Sequence, residues 1–178
     1  MTVNTRKSLL VLSLFLVFLL ESTILPWLIP DGWQMRIVPN LVFILILFVS
    51  VYHHRHTALI LGLSFGMLHD IVFYGRIIGG HSFAMGLSAY LLGLVFQIPR
   101  APLPLMMTVL LLGSLVQDSL LFGIYSVFSL NHEPYDWALL HYMLPTMLFH
   151  FAAGLLLYVP VRRQLEQLKL NSRKEENS

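Results

Sequence analysis

The chain of 178 residues contains no cysteine and few charged residues. Without cysteine it can form no disulfide bond, no thiolate nucleophile and no thiolate metal site. Charged residues make up 11% of the sequence, whereas soluble domains carry about a quarter, and hydrophobic residues make up 57%. This balance excludes an ordinary soluble domain and indicates an integral membrane protein.

Common enzyme motifs are also missing from the sequence. There is no HExxH metalloprotease pair, no GxSxG nucleophile elbow and no Walker phosphate-binding loop. Two aspartates in apolar segments, Asp70 and Asp118, invite comparison with intramembrane aspartyl proteases. The residue before each acid is His69 or Gln117, however, where those enzymes have glycine. We therefore predict a protein with no enzymatic activity, no catalytic residue and no cofactor.

Metal binding and nucleic-acid binding are two further classes of function. His53, His54 and His56 are imidazole ligands, but their spacing does not suit a closed metal site and no nearby carboxylate completes one. Capping of a short helix at the cytoplasmic interface explains them better. The net charge of +2 is small, and the positive residues lie where membrane topology requires them. We predict neither a metal site nor a nucleic-acid partner.

Long apolar segments make up most of the sequence. Crossing a bilayer takes about 20 apolar residues in a helix. Six candidate spans follow one another at residues 8–29, 37–52, 57–74, 77–98, 103–130 and 137–159. We predict an all-α, polytopic domain of six transmembrane helices over residues 1–160, followed by a cytoplasmic tail at 161–178.

The positive residues set the predicted orientation. Lysine and arginine collect in cytoplasmic segments, and with six spans nine of the 11 fall on one side, leaving Arg36 and Arg76 on the other. Both termini are therefore predicted to be cytoplasmic. Five basic residues of the tail are candidates for contact with anionic lipid or a cytoplasmic partner, and ordinary positive-inside anchoring is the simpler explanation. They are Arg162, Arg163, Lys169, Arg173 and Lys174.

The third predicted span carries a buried acid beside small residues. Gly62, Gly66 and Asp70 recur every four residues, so in a helix they share one face. Such a face lets a second helix approach closely in lipid. Span four offers a similar stripe that includes Gly86 and Gly93. We predict that these positions pack helices together or bind a partner.

A related phrase occurs in the fifth span. GMLHDIVFYG at 66–75 and SLVQDSLLFG at 114–123 each have a small residue, then an aspartate, then a glycine five positions later. Asp118 and Gly123 therefore correspond to Asp70 and Gly75. Because spans three and five run in the same direction, both acids are predicted to lie at similar depth in the outer half of the membrane.

A carboxylate in lipid needs a polar partner, a proton or a polar cavity. Polar side chains at or near suitable depth are Glu21, His69, His81, Gln117, His141 and His150. One interpretation is a proton relay or a substrate cavity on the outer side. The favoured interpretation is that polar contacts fix one helix packing and one partner surface. Glu21, and Pro145 as a predicted kink in span six, belong to the same candidate set.

Several short motifs, in order, resemble the MreD family of the bacterial rod-shape system. They are Glu21-Ser22 closing span one, Val38-Pro39-Asn40-Leu41 opening span two, the basic, histidine-rich turn around Arg55, Gly62 through Asp70, the glycine-rich fourth span, and Pro145-Thr146. The likeness covers nearly the whole chain, and its specificity lies in the order of the motifs together with the length and span count.

The resemblance implies a non-enzymatic scaffold subunit of the cell-elongation machinery in the bacterial plasma membrane. The implied partner is an MreC-like protein, with direct or indirect links to MreB, RodA and a class B penicillin-binding protein that together serve peptidoglycan synthesis. The family is also thought to be similar in fold to the S-components of energy-coupling-factor transporters. A vitamin-binding S-component is therefore the alternative, although span one lacks the small-residue stripe expected for contact with a coupling subunit.

Overall fold

The computed structural model describes residues 3–28, 38–73, 75–98 and 101–176, and within them all regular structure is helical. The all-α prediction is confirmed for this part of the chain. The helices are α1 (Val3–Leu28), α2 (Leu41–Tyr52), α3 (Arg55–Val72), α4 (Gly80–Phe96), α5 (Leu103–Val127), α6 (Tyr135–Ala138), a π-helical segment (Leu139–Met143) and α7 (Leu144–Glu176).

Helix α2 forms the centre of the protein. It has 12 residues and a length of about 18 Å, well short of the roughly 30 Å of a bilayer core. Every residue from Val42 to Tyr52 is buried, and α1, α3, α4, α5 and α7 all contact the helix. A helix that is apolar all round is expected in such a buried position. Because neighbouring helices surround α2, its length need not match the membrane.

Helix α1 has one buried face and one exposed apolar face. Leu14, Phe18 and Glu21 lie on one face and are buried, whereas Val11 and Phe15 are among the large apolar residues left exposed. The Phe18 ring contacts the ring of Phe73, at the end of α3, edge-on with centroids 6.1 Å apart. An exposed apolar face of this kind suits contact with lipid tails.

Helices α3 and α4 make the most extensive helix–helix contact, and glycine makes it possible. A Cβ atom placed on Gly62 would lie 2.7 Å from the Gly86 Cα atom, and one on Gly66 would lie 2.5 Å from the Ser82 Cα atom. No side chain fits in that space. The Ser82 hydroxyl donates to the Leu63 carbonyl at 2.7 Å and so joins the two helices further.

Among the residues that the structure describes, two helical stretches are long and apolar enough to cross a membrane, Leu103–Val127 and Tyr135–Arg162. The second contains the π-helical segment, where the Leu144 N–H bonds to the Leu139 carbonyl five residues back. Pro145 follows directly, and because proline has no N–H it cannot continue the α-helical ladder there. The wider π turn is a recognised way of accommodating such a break.

The helix ends differ from the predicted span limits by a few residues in most helices, and two of the differences involve proline. Span two is predicted to begin at residue 37, yet α2 begins at Leu41 with Asn40 as its N-cap, so Pro39 precedes the helix. The last span was expected to end before Pro160, whereas α7 continues through Pro160 to Glu176. A proline removes one backbone hydrogen bond from a helix, and here the rest of the ladder continues beyond it.

Candidate functional site: a polar cavity between helix ends

A cavity of about 990 Å³ lies among α1, the segment before α2, the end of α3, the start of α4, α5 and the region of α6 and the π-helical segment. Its polar lining includes Glu21, His69, His81, Gln117 and Asp118. Its volume is at the upper end of the range for small-molecule sites in proteins. The cavity is therefore large enough for a ligand or an inserted side-chain cluster.

Asp70, the acid singled out in the third span, binds the backbone at the start of α4. Its Oδ2 atom accepts hydrogen bonds from the N–H groups of Gly79 at 2.8 Å and His81 at 3.1 Å. A longer bond of 3.4 Å comes from the Ser82 N–H. The first N–H groups of a helix have no partner within the helix, and a carboxylate stabilises them both by accepting hydrogen bonds and by its negative charge. Asp70 thus caps α4 from the neighbouring helix.

His81 completes the surroundings of Asp70. Its Nδ1 atom lies 2.6 Å from the Asp70 Oδ1 atom, and the Asp70 side chain is fully buried. The loop between the helices is held against the same carboxyl group, since a Cβ atom on Gly75 would lie 2.6 Å from Oδ1. Asp70 is therefore fully engaged in joining α3 to α4.

His69 brings an imidazole to the cavity wall beside this cluster. Its ring lies 4.6 Å from the His81 ring and 4.5 Å from the Phe73 ring, centroid to centroid. The side chain is buried, and among the described residues nothing bonds to its Nδ1 atom. His69 therefore presents an unused polar atom next to the Asp70–His81 pair.

Helix α5 contributes two adjacent polar residues with unused oxygens. Gln117 is buried at 3% exposure. Its Oε1 atom and the Oδ2 atom of Asp118 are both buried, and neither has a hydrogen-bond partner in the described part of the chain. Asp118 therefore differs from Asp70: the sequence phrase is similar, but only the acid on α5 is left facing the cavity.

Glu21 uses one carboxylate oxygen and leaves the other free. Its Oε2 atom accepts the Val42 N–H at 3.1 Å, so α1 helps to cap α2. The residue is 2% exposed, and its Oε1 atom lacks a partner among the residues that the structure describes. Glu21 thus adds a third unpartnered oxygen to the cavity wall.

A buried chain of hydrogen bonds lies behind this wall. The Asn40 N–H donates to the His150 Nε2 atom at 3.2 Å, so the ring hydrogen is on Nδ1. That nitrogen lies 2.7 Å from the Ser114 hydroxyl. Asn40 also accepts the Phe43 N–H at 2.9 Å. The beginning of α2 is thereby tied to α5 and α7.

The remaining predicted site residues are spread over the molecule. Gly62 and Gly86 meet between α3 and α4, and a Cβ atom on Gly93 would collide with the Ser50 side chain of α2. Gly123 has open space around it, and Pro145 lies just after the π-helical segment. Only Glu21 and Asp118, of this candidate set, line the cavity.

Of the five basic tail residues, Arg162 is described in full. Its guanidinium donates to the Tyr158 hydroxyl at 2.9 Å and lies 5.6 Å from the centre of that ring. The side chains of the other four lie outside the described residues; they are Arg163, Lys169, Arg173 and Lys174.

Sequence reasoning did not identify Arg76 and Tyr125 as site residues. Arg76 lies 5.8 Å from the centre of the Tyr125 ring and donates to the Leu130 carbonyl at 3.3 Å, and all three residues line the cavity. A signal for Tyr125 was present, since it follows Asp118 by two helical turns and shares its face. Arg76 had no comparable signal, because its partners lie on a distant part of the chain.

Comparison with known proteins gives a family. The chain matches the model of the rod shape-determining protein MreD over residues 4–168. It belongs to the MreD family. A relative of the same name from Bacillus subtilis (strain 168) is 25% identical over 139 residues, which cover 78% of this chain and 80% of that protein. No solved structure gives a significant match.

Membership confirms the resemblance read from the sequence motifs. Membership of the MreD family supports a role for this chain in rod-shape determination. It also makes the chain a membrane protein, in agreement with its two long apolar helical stretches.

Proposed function

We propose that this MreD protein is a non-enzymatic scaffold of the cell-elongation machinery, crossing the bacterial plasma membrane six times with both termini in the cytoplasm. The match to the family over nearly the whole chain carries the proposal. The distribution of lysine and arginine supports the orientation. The exposed apolar residues of α1 support lipid contact along that helix.

The proposed partner is an MreC-like membrane protein, through which the scaffold connects MreB, RodA and a class B penicillin-binding protein. A partner that crosses the membrane would pack against exposed apolar helix faces. Helix α1 has a long face of this kind, which includes Leu12, Leu16 and Leu19. Helix packing in lipid relies on such side-chain contacts and on occasional polar bonds. The scaffold would then act by holding partners together, without a reaction of its own.

Co-purification tests this role. The full-length protein, tagged and extracted from its own cells in mild detergent, is expected to bring an MreC-like protein with it. A chain with Leu12, Leu16 and Leu19 changed to alanine is expected to recover less of that partner, while alanine at Leu63, Met67 and Ile71, exposed positions on α3, serves as the matched control. Absence of any MreC-like protein from the native extract would refute the scaffold proposal.

The large cavity favours a second candidate, a substrate-binding role like that of the S-components of vitamin transporters. That role requires an ATPase pair as partner. Recovery of such a pair, together with a bound vitamin, from the same extract would support it over the scaffold.

A further inference from the structure

The cavity contains an excess of unused hydrogen-bond acceptors. Glu21 Oε1, Gln117 Oε1 and Asp118 Oδ2 are buried oxygen atoms, each without a partner in the described part of the chain. A buried acceptor left unpaired costs about 1–3 kcal/mol, and more when it is charged. Proteins rarely leave such atoms empty unless something else binds them. Three around one cavity indicate a missing donor.

The charge of the lining indicates what kind of donor is missing. Its acids are Glu21, Asp118 and Glu133, and its guanidinium is Arg76. Three imidazoles also line it, those of His69, His81 and His132. Arg76 is exposed and already bound to the Leu130 carbonyl. A carboxylate held in apolar surroundings is stabilised by an opposite charge or by hydrogen-bond donors, and an ammonium group supplies both. The cavity therefore favours a positively charged ligand over a neutral or anionic one.

The remaining walls suit an apolar body on that cation. Val38, Leu121, Phe122 and Met143 supply aliphatic and aromatic surface. The Tyr125 ring already has one cation, Arg76, near its face, as aromatic rings attract positive groups. These apolar walls favour an organic cation over a bare ion.

We propose that the cavity binds an amphiphilic organic cation, a primary ammonium group on an apolar chain. The ammonium group donates hydrogen bonds to the free oxygens of Gln117 and Asp118 on α5, and Glu21 supplies a further acceptor and negative charge. The apolar chain packs against Leu121 and Phe122. The ammonium comes either from a free amphiphilic amine or from the headgroup of an aminophospholipid. This site is additional to the scaffold role and does not depend on it.

Native mass spectrometry of the full-length protein in detergent tests the proposal. The probes are octylammonium, octanol and octanoate, which share one chain length and differ in the polar group. One octylammonium is expected to bind per chain, at least tenfold more tightly than either of the others. Equal binding of octanol and octylammonium would show that the cavity recognises only the chain and would overturn the proposal.

Variants locate the site. Asp118→Asn is expected to weaken octylammonium binding at least tenfold, whereas Asp136→Asn, at an exposed acid outside the cavity, is expected to leave it unchanged. Equal binding by the two variants would contradict the assignment. If Asp118→Asn does not fold, Gln117→Met removes the neighbouring acceptor while keeping a similar shape, and the same loss of binding is expected.

Two lipids then distinguish the sources of the ammonium. Displacement of octylammonium by phosphatidylethanolamine but not by phosphatidylglycerol assigns the site to a lipid headgroup. Retention of octylammonium in the presence of both lipids assigns it to a free amine. Displacement by both lipids equally would show no preference for ammonium and would count against the proposal. None of these readouts involves partner capture, so failure here leaves the scaffold role to its own test.

Discussion

Asp70 and Asp118 show how two acids in similar phrases acquire opposite roles. Asp70 accepts backbone N–H groups at the start of α4 and pairs with His81. Asp118 has an oxygen without a partner in the described chain. The difference arises from the path of the chain beyond each helix. After α3 the chain returns at once as α4, so the unpaired N–H groups of α4 come within reach of Asp70.

This contrast gives a prediction for stability. Asp70→Asn places an amide NH₂ where a carboxylate oxygen now accepts N–H donors, and the buried donors that lose their acceptor are expected to cost about 2 kcal/mol. Asp118→Asn removes a buried charge that has no partner in the described chain and is expected to leave the free energy of unfolding unchanged or to raise it by about 1 kcal/mol. Unfolding in mixed dodecyl maltoside and SDS micelles measures both. A loss at Asp118 as large as at Asp70 would mean that Asp118 has a structural partner.

For single residues, the sequence identifies the important polar side chains better than it identifies their hydrogen-bond partners. An acid inside an apolar run is conspicuous, and so Glu21, Asp70 and Asp118 could be named in advance. The partners of Asp70 are mostly backbone N–H groups, and a backbone group has no residue type to recognise. The Asn40 cap was predictable in principle, because asparagine just before a long apolar run is a common helix start.

Among the helices, the α3–α4 contact depends on missing side chains. The Gly62–Gly86 and Gly66–Ser82 contacts bring two backbones together where a Cβ atom would collide with the backbone of the other helix. Gly123, by contrast, has nothing within 4 Å of its added Cβ position. The two kinds of glycine are indistinguishable in the sequence phrases that contain them.

Alanine substitutions are expected to distinguish the two kinds of glycine by their effect on stability. Gly66→Ala forces α3 and α4 apart and is expected to destabilise the protein by about 2 kcal/mol, the range for overpacking a rigid site. Gly123→Ala fills open space and removes backbone freedom, so it is expected to be neutral or to stabilise by up to about 1 kcal/mol. Thermal unfolding monitored by circular dichroism in detergent provides the comparison. A loss of stability at Gly123 equal to that at Gly66 would contradict this interpretation.

The helices themselves were predictable from apolar length, because each of the first five predicted spans coincides with one helix and the sixth lies within the stretch from α6 to α7. Their ends were less so. The start of α2 is fixed by a local cap, Asn40, and by a tertiary contact with Glu21. The π-helical segment before Pro145 widens one turn of the helix, and no hydrophobic pattern reveals it.

The whole molecule has a charge distribution that makes its orientation testable. Nine of 11 lysine and arginine residues fall on one side of a six-span arrangement, which favours cytoplasmic termini. Alkaline phosphatase fused after Ser178 is therefore expected to be inactive, since that enzyme works only outside the cytoplasm, whereas a fusion within the loop at Glu133 is expected to be active. High activity of the C-terminal fusion would refute the six-span topology.

The cavity is also a property of the whole molecule. The sequence predicts that a polar site could exist, and it does not predict which residues form its walls. An outward site near Asp70 and Asp118 was one of two interpretations of the sequence. Its walls come from several helices that are distant along the chain, including α1 and the region around Met143. Which polar atoms remain unused depends on how these helices meet, and periodicity within one helix carries no information about that.

The central position of α2 has a consequence for how the protein is assembled. Its first N–H groups are bonded to Glu21 of α1 and to its own cap Asn40, and the Asn40 N–H is bonded to His150 of α7. A nascent chain that has released α2 from the ribosome therefore still lacks one acceptor, since His150 is synthesised about 110 residues later. The start of the second helix therefore gains this hydrogen bond only after the last helix has been made.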